Sequence, residues 1–221
     1  MNKINRFLHF LLPLCFLVGC NIKHKTITSS QAIESIFPPT IMIDGTLYQD
    51  SGYINNLVTC GTANGMINSS VNLHELPTKD NQSNFGTGYE YQIWNESYIN
   101  VKLDHKWVAF VRIDKKSSEI PDFVANFQAE VLETTNDSLL VKITELPEGF
   151  QFLFPSSIEH IKPISLSSDY ILRKEDKKEF DSHTLVGKKV HVHFDGSMLH
   201  TQSESSLPIQ LKHVYQIVVV E

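Results

Sequence analysis

Ile41-Met42-Ile43-Asp44-Gly45-Thr46-Leu47-Tyr48 decides the fold class. Two short apolar runs flank Asp-Gly, and both turn residues tolerate the positive φ that a two-residue hairpin turn requires. The pattern repeats downstream. Residues 89–94 and 98–103 read as strands joined by Asn95-Glu96-Ser97, and Asp104-His105-Lys106 turns into a third strand over 107–113. Within that run Ile99, Val101 and Leu103 fall on one face, and Tyr98, Asn100 and Lys102 on the other. Residues 57–60 and 65–67 read as a further pair around the turn at 61–64, and residues 70–85 as a polar loop. The expectation for residues 38–117 is a small all-β meander, a partly closed barrel.

The polar stretch 114–122, with Lys115-Lys116-Ser117-Ser118-Glu119 and Pro121, marks a domain boundary near 118, so 118–125 reads as a linker to a second β domain over 126–221. There, 127–133 and 138–144 form a hairpin about Asn136-Asp137, and 150–154 extend the sheet. Residues 158–166 read as a strand that Pro163 confines to an edge or a bulge. The charged run 169–181 suits a short exposed helix. Residues 186–194 form a strand ending at Asp195-Gly196, with 197–201 returning from that turn, and 214–220 form a buried last strand.

Ahead of the β pattern lies a leader. Residues 1–6 carry Lys3 and Arg6, and residues 7–18 are apolar apart from His9 and Pro13. A spanning helix needs about 20 apolar residues, so this run fits a secretory signal better than a permanent span. It ends in Leu17-Val18-Gly19-Cys20, which resembles the lipobox cut by the lipoprotein signal peptidase. That resemblance implies removal of residues 1–19, with Gly19 as the small residue before the cut. It also implies thioether attachment of a diacylglyceryl group to Cys20, whose two chains together hold a protein at a membrane. Residues 20–37 then serve as a polar tether.

Composition narrows the partners. The 221 residues carry a net charge of −6, and loss of Lys3 and Arg6 with the leader makes the remainder more acidic. Nucleic acid is therefore not an expected partner, because phosphate binding leans on basic surface. There are three cysteines. Cys15 leaves with the leader and Cys20 takes lipid, so Cys60 has no intramolecular disulfide partner.

Both halves resemble membrane lipoproteins of uncharacterised function from Gram-positive, Bacillus-like bacteria. The first half does so in residues 38–48, Cys60-Gly61-Thr62 and Asn81-Gln82-Ser83-Asn84-Phe85-Gly86-Thr87-Gly88. The second does so in Ala129-Glu130-Val131-Leu132-Glu133, Ser138-Leu139-Leu140-Val141, Val186-Gly187-Lys188-Lys189-Val190 and Phe194-Asp195-Gly196. It resembles a small lipoprotein domain with an OB-like barrel, and departs from that pattern over 162–184, where extra charged residues stand. The resemblance implies an all-β protein of two small β-barrel or meander domains, the second OB-like. It implies no activity, since members have none assigned.

Four constellations bear on chemistry. His191, His193 and Asp195 alternate along one strand, with His200 opposite them if the Asp195-Gly196 turn makes a hairpin. Such a set suits a transition metal, but a half-buried strand with Val190, Val192 and Phe194 inward presents its polar residues outward by default, and no metal or other cofactor is expected. Cys60 suits a catalytic thiol only beside a base in an electropositive setting; free cysteines more often pack in cores. Residues 84–88 lack the third glycine of a dinucleotide loop and the lysine of a P-loop, which leaves 81–88 as a bend or a recognition loop. The aromatics of 89–110 suit a ligand platform or, by the favoured reading, a barrel core. The expectation is a lipid-anchored protein on the extracytoplasmic face of the cell membrane, a non-enzymatic binding or interaction module for an envelope protein or small ligand. The alternative is an envelope metal-handling or thiol-dependent enzyme using His191/His193 or Cys60.

Overall fold

The computed structural model describes residues 36–58, 61–154, 156–171, 182–200 and 206–220. The lipobox, Cys60 and most of the charged run at 169–181 lie outside these residues. Strand β1 (Thr40–Ile43) and β2 (Thr46–Ile54) form the expected hairpin, with Asp44 at φ 49° and Gly45 at φ 70°. The short strands β3 (Gly65–Met66), β4 (Ser69–Ser70) and β5 (Gln82–Ser83) follow. Then come β6 (Glu90–Ile93), β7 (Tyr98–Leu103) and β8 (Lys106–Arg112). Asp104 and His105, both at positive φ, make the tight turn between the last two. The sheet order is β3-β6-β7-β8-β2-β1-β5-β4.

This sheet curls because β2 bulges. Asp50 pairs with Phe110 but Tyr53 pairs with the very next residue, Ala109, leaving Ser51 and Gly52 extra. Gly52 takes φ 78° and donates its N–H to the Asp50 carboxylate at 2.8 Å, while the Ser51 hydroxyl bonds the Ala109 carbonyl at 2.6 Å. The concave face encloses Ile41, Ile43, Ile67, Ile99, Val101 and Phe110. Of the expected pairing of 57–60 with 65–67, residues 57–58 are not a strand and 59–60 lie outside the described residues, while β3 pairs with β6. Asn55 and Asn56 explain the change: their side chains bond across the fold rather than continuing a ladder, as described below.

The second sheet contains β9 (Asn126–Thr134), β10 (Ser138–Glu145), β11 (Ile164–Ser167) and β12 (Lys189–Phe194). It is completed by β13 (Met198–His200), β14 (Ile209–Leu211) and β15 (Val214–Val220). β9, β10 and β11 are an antiparallel meander; β12 lies beside β9, and β15 beside β12. The circuit closes because β14 runs parallel to β11, and Ile171 bridges Ile217 of β15, also in parallel. A three-strand meander, a fourth strand against the first and a fifth returning parallel to the third make an OB-like barrel. Its core is built on Phe127, Phe154 and Phe194, whose rings meet 5.8–6.4 Å apart.

Three local expectations change. Residues 148–153 are 3-10 helix rather than strand: Pro147 precedes them and cannot donate to a ladder, and Phe150 still reaches the core. Residues 158–160 are also 3-10, and only 164–167 pair as β11, beyond Pro163. Asp195-Gly196 does not close a hairpin. β12 already has β9 and β15 on its two edges, so β13 pairs with β14.

All described residues belong to one compact unit, Ser35–Glu221. Phe123, Val124 and Ala125, at the end of the stretch read as a linker, are buried. Phe123 and Val124 cover the convex face of β7 and β8, where Trp94 and Tyr98 meet the Phe123 ring edge-on at 6.3 and 5.0 Å. Covered on both faces, β7 buries Asn100 along with Ile99 and Val101. No helix among the described residues is long and apolar enough to cross a membrane.

Candidate functional site

The strand that sequence singles out, β12, splits its polar set. Val190, Val192 and Phe194 are fully buried, and His191 and His193 share the opposite face, half-buried, with ring centroids 4.3 Å apart. The Asn126 amide donates to the Val124 carbonyl at 2.9 Å, so its oxygen faces the His191 Nε2–H at 3.0 Å. His193 Nδ1 is buried without a partner. Burial lowers the His193 imidazole to about 4, and the neighbouring His191 adds to this; burial lowers His191 too. In both rings burial disfavours the charged form. A register shift after His193 removes Asp195 from that face, and β13 carries His200 to β14 instead of opposite the pair. No group of three metal-binding side chains forms among the described residues.

Asp195 instead joins the two sheets. It is buried, and it accepts from Lys106 Nζ at 2.7 Å and from the Ser197 N–H at 2.9 Å. Lys106 also reaches the Ser197 hydroxyl at 2.8 Å. Beside it, Asn56 accepts from the Ala125 N–H and donates to the Asp195 carbonyl, at 2.9 and 3.1 Å. Gly196 sits so close that a Cβ there would fall 2.1 Å from the Asn56 amide nitrogen, and its φ of 77° also favours glycine. Asn55 bonds Asn100 at 3.1 Å, and Tyr215 accepts from the Ile54 N–H at 3.2 Å. Burial pushes the Tyr215 hydroxyl up to about 12. Every one of these polar groups has a partner, so this junction holds the fold and leaves nothing free for a ligand.

Residues 81–88 are likewise structural. Gln82, Ser83 and Asn84 are buried beside β1, and the Asn84 oxygen accepts from the Thr40 N–H at 2.7 Å. The Ser83 hydroxyl bonds the Gly86 carbonyl and accepts the Phe85 and Gly86 N–H groups. Two of the amides that a phosphate loop would offer are therefore spent internally. The aromatics of 89–110 mostly pack: Tyr91 and Phe110 are core, Tyr89 and Phe85 stack on it, and Trp94 and Tyr98 hold Phe123.

The place where polar groups converge without partners is the seam of the second barrel. β11 and β14 pair only through Ile164–Ile209 and Ser165–Gln210, then part; β15 meets the chain again at the Ile171–Ile217 bridge. The gap between is a cleft of about 340 Å³, at the lower end of the roughly 300–1,000 Å³ of small-ligand sites. Leu166, Leu211 and Val214, all buried, form its floor. The rim follows from the pleat. Residues between Leu139, Val141, Ile164, Leu166 and Ile209 point outward, so Ser138 faces Ser167 across one pair of strands and Leu140, Ser165 and Gln210 make a row across three.

Asp137, from the β9–β10 turn, and Lys212, from the β14–β15 turn, also line the cleft, and Tyr170 is an exposed aromatic beside them. Ser138 bonds Thr135 and Ser167 bonds Asp169. The side chains of Ser165, Gln210, Asp137 and Lys212 have no partner among the described residues. A second cavity, of about 510 Å³, is walled by a single connection running from Leu146 to Ile158, where Ser157 is already bonded to His160. Four separate strand ends build the seam, which makes it the better-supported site. Sequence reading misses it, although Ile164-Ser165-Leu166-Ser167 carries the signal of a strand with an inward apolar face and an outward hydroxyl face. No family model, curated protein or solved structure matches the chain.

Proposed function

We propose that the protein is a lipid-anchored binding module on the extracytoplasmic face of the cell membrane, with the seam cleft of the OB-like barrel as its ligand surface. The observation that carries this reading is the concave gap between the parted strands β11 and β14, with a buried apolar floor and a rim of polar side chains. Small-ligand sites are concave, with an apolar lining and a few polar groups, and strands set such groups more sharply than loops do. The tether follows from Leu17-Val18-Gly19-Cys20 and places the cleft outside the membrane. The cleft offers hydroxyls, an amide, one carboxylate and one ammonium, which suits recognition of a polar ligand.

Two measurements test the proposal. Cells fed labelled palmitate should label the wild-type chain and not Cys20→Ala, and the variant should leave the membrane fraction. A fractionated envelope extract should raise the Tm of the full chain, since a ligand that binds only the native state stabilises it. It should leave Tm unchanged in Ser165→Leu/Gln210→Leu, which fills the cleft from its outer face. Equal Tm shifts in both proteins would refute the cleft, and palmitate on Cys20→Ala would refute the anchor.

A further inference from the structure

Resting on the cleft as the binding surface, we propose that its ligand is a short segment of neutral oligosaccharide. The lining has the two-sided character that a pyranose ring presents. Leu166, Leu211 and Val214 form an apolar floor, and the Tyr170 ring stands exposed beside it, suited to the C–H faces of sugars. Around these sit Ser165, Gln210 and Asp137, which together offer both donors and acceptors to a ring of hydroxyls. A ligand that carries both donors and acceptors satisfies such a rim, whereas a purely acceptor ligand does not.

Charge and topology exclude the competing classes. Among the described lining residues one carboxylate, Asp137, is balanced by one ammonium, Lys212, which gives no net positive charge to attract a polyanion. A peptide adding itself as a strand needs an open ladder. Here one edge of β11 is paired with β10 and the other with β14, and among the described residues only Leu166–Ser167 lies open before the chain turns. Two residues are too few to hold an added strand. The cleft therefore reads its ligand through side chains, and its volume of about 340 Å³ limits the segment read to a small number of sugar rings.

Calorimetric titration of the detergent-solubilised full chain tests this with four probes: chitotetraose, cellotetraose, an oligogalacturonate as polyanion and an alanine tetrapeptide. Saturable binding of a neutral tetrasaccharide is expected. Tyr170→Ala and Ser165→Leu should each weaken it by about tenfold, with Tm unchanged, so that loss of binding is not loss of fold. Binding of the polyanion or the peptide, lost in Ser165→Leu while both neutral sugars stay silent, would overturn the sugar assignment and leave the cleft standing. Sugar binding untouched by either substitution would overturn the assignment of the site. Silence from both neutral sugars, beside an envelope extract that still raises Tm in wild type alone, would overturn the sugar class only; silence from the extract as well would overturn both readings.

Discussion

Strands β7 and β11 occupy comparable places in their sheets and have opposite surroundings. β7 is covered on both faces: Ile99 and Val101 lie inside the curl, and Asn100 is buried outside beneath the shelf made by Phe123 and Val124. Its buried amide accepts from Asn55 and donates to Gln92. β11 is covered on one face only. Ile164 and Leu166 fill the barrel, while Ser165 and Ser167 stand at the cleft. Polar groups between two packed layers must find partners, because an unsatisfied buried group costs about 1–3 kcal/mol. Polar groups on an open wall carry no such obligation, and there a ligand can supply the partner. On the proposed reading the first sheet serves as a support and the second as a surface.

The largest test of that contrast is at the aromatic core. Phe127→Ala should destabilise the protein by about 3–5 kcal/mol, because the ring is fully buried between Phe154 and Phe194; urea denaturation reads it. If the two sheets support each other, tryptophan fluorescence should report the loss as well, since Trp94 and Trp107 are both in the first half. Unchanged fluorescence through the transition of the second sheet would show that the halves unfold separately.

Next comes the junction. Gly196→Ala should cost about 2–4 kcal/mol, combining the clash with Asn56 and the positive φ. Asn56→Ala alone should cost about 1–3 kcal/mol, because it leaves the Ala125 N–H and the Asp195 carbonyl without their partner. The double variant should lose less than the sum, since Asn56→Ala removes the clash; strict additivity would show that the contact is not the cause.

A smaller effect should appear in acid. The unfolded chain protonates His193 near its ordinary value of 6.5, whereas the native state resists until about 4. His193 therefore contributes stability that is full above 6.5 and falls as the pH drops through 4. Allowing for its half-exposed position, the swing is about 1–2 kcal/mol. His193→Gln should flatten that part of the stability profile, and an unaltered slope between pH 6.5 and 4 would assign the acid sensitivity to other groups.

The smallest effect is expected at the cleft. Ser165→Ala should change stability by less than about 0.5 kcal/mol, because the hydroxyl supports nothing in the fold. A larger loss, measured by thermal melting, would make Ser165 structural and remove it from the candidate surface.

Much of this was legible in residues 40–48 and 98–113, where Asp44-Gly45 and Asp104-His105 dictate turns through their own backbone preferences and the apolar residues alternate locally. The pair His191 and His193 was also legible as sharing a face, since strand alternation requires it. Asp195 was not separable from them in sequence, because the register shift that turns it to Lys106 depends on the partner strand. Residues 150–154 carry the apolar content of a strand, yet Pro147 and the packing of Phe150 make a 3-10 turn.

The amino-acid sequence by itself determined the all-β character, the tight turns at Asp44-Gly45 and Asp104-His105 and the expectation of a lipid anchor at Cys20, all of which rest on signals a few residues long. Tertiary structure alone decided which strands meet. It took β13 away from β12, buried Asn100 and 123–125, and left β11 and β14 parted over Leu166 and Leu211. The physical reason is range. A turn is fixed by the φ preferences of two neighbours, whereas a cleft is the space left when strands more than forty residues apart cannot pair along their whole length.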